Sequence, residues 1–127
     1  MERADIIDRV WELAEPMVFM PKEEFVRNLD GWDLQAVEIN GCVAFVTAQN
    51  GPKFHFNSLG GSHQITRRMI ADFLQPIIAR YGHAETRTPK DDWRQRRFYE
   101  AFGFVAVGED YYDILYRIQK IRGASCH

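Results

Sequence analysis

The sequence predicts an α/β fold of the mixed, α+β kind: a mostly antiparallel twisted sheet flanked by helices. Two observations predict it. The hydrophobic period changes along the 127 residues from helical to alternating, and then back to helical. Turn signals stand at the changes: Asn40-Gly41, Asn50-Gly51, Gly60-Gly61, Gly82 and Gly103.

Residues 4–14 place Ile6, Ile7, Val10, Trp11 and Ala14 at helical spacing, and Pro16 stops the helix. Pro21 suits the first position of a second helix, with Glu23 and Glu24 near its positive end and Gly31 after it. Residues 33–39, 42–48 and 53–58 read as three strands joined by tight turns. The middle one, Cys-Val-Ala-Phe-Val-Thr-Ala, is apolar enough to be covered on both faces. A long helical stripe follows: Ile65, Met69, Ile70, Phe73, Leu74, Ile77, Ile78 and Tyr81. Ser62 is the expected N-cap, and Pro76 predicts a kink near Asp72. A strand over 83–88, a helix carrying Trp93, Phe98 and Phe102, and strands over 104–107 and 112–118 complete the order. Gly108-Glu109-Asp110 turns the chain between the last two.

Composition sets bounds on function. The hydrophobic fraction is 46% and the charged fraction 27%, as in an ordinary packed domain. A net charge of −2 gives no reason to expect nucleic acid or an anionic membrane as partner. No apolar run is long enough to span a bilayer, and the mixed-charge start does not read as a secretory leader. Two cysteines, Cys42 and Cys126, suit a reducing, cytoplasmic setting better than a disulfide framework. The expected organisation is one domain over 1–127: a helical part at 1–32, sheet and central helices at 33–118, and a tail at 119–127 that frays from Gly123.

The segment Arg97-Phe98-Tyr99-Glu100-Ala101-Phe102-Gly103-Phe104 ends a helix and opens a strand just before the final hairpin. Together with the element order, it resembles the helix-to-strand signature of the GCN5-related N-acetyltransferases, the GNAT superfamily. The resemblance covers roughly 33–118 and looks closest to short, divergent members encoded by tailed bacteriophages. In that case the setting would be the host cytoplasm. The family binds acetyl-CoA with its pyrophosphate at the N-terminus of the long central helix, where free N–H groups and the helix dipole favour anions. The resemblance therefore implies cofactor contacts at His63, Gln64, Ile65, Thr66, Arg67 and Arg68, with Arg94 near the adenosine 3′-phosphate. It implies Tyr99 as the general acid that protonates the leaving thiolate. The sequence departs from the pattern twice. Ile65 and Arg67 stand near the positions of the family's loop glycines, and Asp92 stands where an asparagine is common.

Each candidate also has a plain structural reading. Tyr99 would pack under the sheet with its hydroxyl bonded. His55, on the third strand, is the candidate base for an attacking amine; its plain reading is a strand residue facing solvent. Glu38 and Glu85 are lesser candidates of the same sort, read otherwise as surface acids. Arg87, Lys90, Arg94, Arg96 and Arg97 are the only basic concentration, and a solvated helix face accounts for most of it. His83, Cys126 and His127 lack partners at metal-ligand spacing, so no metal is expected. The implied function is transfer of an acetyl group from acetyl-CoA to a small-molecule or protein amine, by a monomer or homodimer. The alternative is a GNAT-type fold that no longer catalyses and binds a protein partner; nucleic acid would require the arginine cluster.

Overall fold

The computed structural model describes residues 2–14, 20–39, 41–58 and 66–121. The elements are helices α1 (Arg3–Ala14) and α2 (Lys22–Asn28), strands β1 (Asp33–Ile39), β2 (Cys42–Asn50) and β3 (Lys53–Ser58), helix α3 (Arg67–Tyr81), strand β4 (Ala84–Pro89), helix α4 (Trp93–Phe102), and strands β5 (Val105–Glu109) and β6 (Asp113–Ile118). Hydrogen bonding orders the strands β1-β2-β3-β4-β6-β5. The β1/β2, β4/β6 and β5/β6 pairs are antiparallel and β3/β4 is parallel, so the mixed, mostly antiparallel expectation holds.

Internal contacts group the chain into two units, Met1–Asn50 with His55–Gln64, and Gly51–Phe54 with Ile65–His127. In the first, β2 is buried from Ala44 through Ala48, the consequence of a strand without polar alternation. Strand β1 pairs with it along its length, with one bulge between Val37 and Glu38. Ile6 and Ile7 bury the inner stripe of α1. Its Trp11 lies 5.1 Å from Phe25 of α2, and Lys22 pairs with Asp8 at 2.7 Å. Pro21 is the N-cap of α2 and not its first helical residue, because its backbone is extended (ψ 154°) and its carbonyl accepts from Glu24 and Phe25.

In the second unit, Ile70, Leu74 and Ile77 bury one stripe of α3. The helix runs unbroken through Pro76, which is exposed. The cap expected at Ser62 is instead Thr66. Its backbone is extended (φ −90°, ψ 157°), and its hydroxyl accepts from the Met69 N–H at 3.1 Å. Gly82 closes α3 at φ +84°, a conformation that costs glycine nothing. Strand β4 alternates, burying Ala84, Thr86 and Thr88 on one face, and it pairs with β6 at all six positions. The turn expected at Gly108–Asp110 lies later. Strand β5 continues to Glu109 past an irregularity between Ala106 and Gly108. The Asp110 carboxylate then accepts from the Tyr112 and Asp113 amides at 2.9 and 2.8 Å, and this fixes the reversal there.

Candidate active site

Helix α4 sets the position of Tyr99. Asp92 caps it, accepting from the Gln95 N–H at 3.0 Å. The acid that stands in place of the family's asparagine therefore has a structural role at a helix N-terminus. At the other end, the Tyr99 carbonyl accepts from both Gly103 and Phe104, at 3.1 and 3.0 Å, with Gly103 at φ +124°. The signature glycine thus supplies a backbone angle, and the phenylalanine after it enters β5 buried.

Tyr99 is 4% exposed. Its ring lies 4.9 Å from Phe104 and 5.9 Å from Tyr116. Burial pushes its pKa up to about 12; a hydrogen bond with the Thr86 side chain works the other way, and the Asp92 charge adds to the rise. The phenol is therefore held firmly protonated, further from a thiol's pKa than a free tyrosine would be. Tyr116 donates to Glu100 Oε2 at 2.6 Å, and burial raises its pKa too. Two residues along β4 from Thr86, the Thr88 hydroxyl is fully buried and has no hydrogen-bond partner among the described residues. A buried hydroxyl in that state marks a place where an absent group belongs, or a strain the fold tolerates. The edge of β4 opposite β6 joins β3 through one registered pair, Lys53 with Glu85, supported by the Glu85 N–H donating to the Pro52 carbonyl at 2.9 Å.

The proposed phosphate residues are divided. His63, Gln64 and Ile65 lie outside the described residues. Thr66 is the cap of α3. Arg67 turns onto α4, its guanidinium 4.8 Å from the Phe102 ring centre and within 3.5 Å of the Ala101 carbonyl. The Arg68 side chain is 90% exposed, with Asp72 at 3.9 Å, and Arg94 is exposed at the start of α4. The rest of the basic concentration is largely committed. Arg87 pairs with Asp110, Lys90 with Glu109 at 3.2 Å, and Arg96 donates to the Lys90 carbonyl at 2.7 Å while lying over Trp93.

His55 belongs to the first unit. It is exposed and stacks on Trp32, ring centres 5.2 Å apart. Both line a pocket of about 360 Å³, whose walls come from α1, α2, β1, β2 and β3. Glu38 is exposed on β1. Glu85 is not the surface acid expected: its side chain is 12% exposed, and it pairs with Arg117 at 3.2 Å and lies 3.7 Å from His83. Among the described residues, no group of three or more His, Cys, Asp or Glu could hold a metal, and no helix is long and apolar enough to cross a membrane. Thr86, Thr88 and the pocket escaped the sequence reading. The alternation of Ala84, Thr86 and Thr88 was the available signal for the threonines, and Trp32, outside every apolar stripe, was the signal for the pocket.

No protein-family profile matches the chain, and no curated protein matches its sequence. Solved structures do match its fold. The Escherichia coli ribosomal-protein-S18-alanine N-acetyltransferase superposes with a TM-score of 0.69 at 12% identity, over 98% of this chain and 94% of its own. A spermidine N-acetyltransferase chimera from Vibrio cholerae gives 0.69 at 15% identity, over 94% and 93%. A Salmonella typhimurium protein solved with its cofactor acetyl-CoA gives 0.61 at 15% identity, over 98% and 94%. At such identities the likeness establishes the fold these acetyltransferases share, the GNAT fold, while function has to be argued from the site.

Proposed function

We propose that the chain, acting as one domain over 1–127, is an N-acetyltransferase that uses acetyl-CoA to acylate an amine. The observation that carries this is the arrangement on β4 and α4. A buried, protonated Tyr99 lies beside Thr86, and among the described residues a second threonine hydroxyl nearby lacks a partner and the strand that carries both threonines has one edge paired at a single registered position. The GNAT fold of the matched structures supports it.

Acetyl-CoA, when bound, supplies an acyl group already activated as a thioester. The Tyr99 O–H would be the proton donor for the departing thiolate, and burial keeps that proton on the phenol. The Arg87 main-chain N–H, which alternation puts on the same edge of β4 as the Glu85 N–H, is the candidate donor for the negative charge that would develop on the carbonyl oxygen. The amine would lose its proton to solvent water as the new nitrogen–carbon bond forms. Arg68 and Arg94 would supply charge to the phosphates as side chains, with the Thr66-capped start of α3 beside Arg68. Arginine side chains in place of glycine-permitted amides would make cofactor binding salt-sensitive.

Thermal unfolding with and without acetyl-CoA tests this. At 100 times its dissociation constant, a ligand bound only to the folded state adds about 2.7 kcal/mol, which is several degrees for a domain of this size. No shift at millimolar acetyl-CoA would overturn the proposal. One observation favours the alternative, a binding protein that does not catalyse: Arg67, near a loop-glycine position, is turned onto Phe102. That reading expects no acetyl-CoA shift and a stable complex with a protein.

A further inference from the structure

The pocket in the first unit has its own chemistry. At about 360 Å³ it lies at the small end of ligand sites, well above the roughly 150 Å³ that takes one benzene. Val46 and Ala48 of β2, both fully or nearly fully buried, contribute one wall. Val10, Phe25, Leu29 and Leu34 line it while half-buried, so it is apolar surface the fold has not closed over. Its polar groups are few: Asn28, Asn57 and the His55 ring, and no Asp, Glu, Lys or Arg lines it among the described residues.

Its aromatic wall is held in place. Trp32 follows Gly31, which turns the chain at φ +83°, and the Trp32 N–H donates to the Leu29 carbonyl at 3.0 Å. The Arg3 guanidinium reaches across from α1 and donates to both the Trp32 and Leu29 carbonyls, at 2.6 and 2.8 Å. Three main-chain contacts thus fix the segment that carries the indole, and the His55 ring stacks on it at 27°. A fixed indole–imidazole stack presents flat apolar surface with little rotamer entropy to lose.

We infer that this pocket binds an uncharged, flat aromatic molecule of one or two rings, through the Trp32–His55 stack and the apolar walls. An ammonium group would leave water with no carboxylate among the described wall residues to receive it, and desolvating an unpaired charge costs far more than the apolar contact returns. A neutral N–H or hydroxyl finds the amides of Asn28 and Asn57 instead. The site concerns unit-one residues alone and stands whether or not acetyl-CoA binds.

Indole, benzylamine and spermidine are the probes, titrated into the full chain and followed by the NMR signals of the Trp32 indole and the His55 ring. Indole is expected to move both signals with saturation, benzylammonium to bind at least about tenfold more weakly, the equivalent of 1.4 kcal/mol, and spermidine to leave them unmoved. In Asn57→Asp, a carboxylate on the wall should reverse the order and favour benzylamine over indole; the side chain is isosteric and half-buried, so the fold survives the change. Trp32→Ala should abolish the indole response at His55. Benzylamine or spermidine binding as well as indole, or indole moving neither signal, overturns the inference. An acetyl-CoA thermal shift measured in the same samples reports on the acyltransferase proposal independently.

Discussion

The two units draw on similar aromatic side chains and use them in opposite ways. In the second, Phe54, Phe102, Phe104 and Tyr116 are each at most 3% exposed, and their rings meet one another and Tyr99 at centroid distances of 4.9 to 6.0 Å. In the first, Phe45 is buried against Phe56 as well, but Trp11, Phe25 and Trp32 are half-buried, and the last two line a pocket. Rings packed on rings stabilise; rings around a hollow leave contact energy unused and available to a ligand. The buried cluster also sets the chemistry of its own polar groups, since the shell that dries Tyr99 is what raises its pKa.

The largest expected effect separates the two directly. Phe102→Ala should destabilise by about 3–5 kcal/mol, because it leaves a cavity among rings that cannot collapse. Trp32→Ala should cost under about 2 kcal/mol, because part of that indole already faces solvent. Urea unfolding of both variants measures the difference, and equal losses would remove the distinction between a packed and an open unit.

Tyr99→Phe comes next and sharpens the role of the packed unit. The folded pKa is raised from 10.0 to about 12, so the stability tied to the protonated phenol is full below pH 10 and lost as pH rises towards 12. That alkaline loss, roughly 2–3 kcal/mol, should vanish in the phenylalanine variant. Acetyl transfer, measured once an acceptor is known, should fall by about 10²–10⁴-fold if Tyr99 is the general acid. Loss of the alkaline limb with turnover intact would leave Tyr99 a packing residue.

Smaller effects test the helix ends and turns. Thr66→Ala should destabilise by about 1 kcal/mol, since it orphans the Met69 N–H. Unchanged unfolding would place the cap elsewhere. Smallest is Asp110→Asn. Backbone hydrogen bonds from Asp113 and Tyr112, with Arg87 beside it, hold the Asp110 carboxyl below its usual 3.8. Its contribution is therefore present above that value and lost as pH falls through the folded pKa. The wild-type protein should lose more stability between pH 5 and pH 3 than the variant, and parallel acid curves would show that the turn does not depend on the charge.

The six strands and four helices of the described residues are legible in the sequence, because period and punctuation are local properties that survive folding. The Tyr99 segment was legible for the same reason, since a helix end needs its glycine within a few residues. The cap of α3 was not. Ser62 and Thr66 are both cap-forming residues upstream of one apolar stripe, and only the path of the chain selects Thr66. Nor could the sequence decide what Asp92, Arg67 and Glu85 face, since each meets partners chosen by packing: the Gln95 amide, the Phe102 ring, and Arg117 of a strand 32 residues away. The pocket belongs wholly to tertiary structure. It is a volume left by five elements; Trp32 stands apart from every apolar stripe, but nothing local in His55 or Asn57 marks the hollow they line with it. Sequence determines which segments become helix and strand, because those preferences act between near neighbours; burial, pKa and empty space arise between distant ones, and only the folded chain decides them.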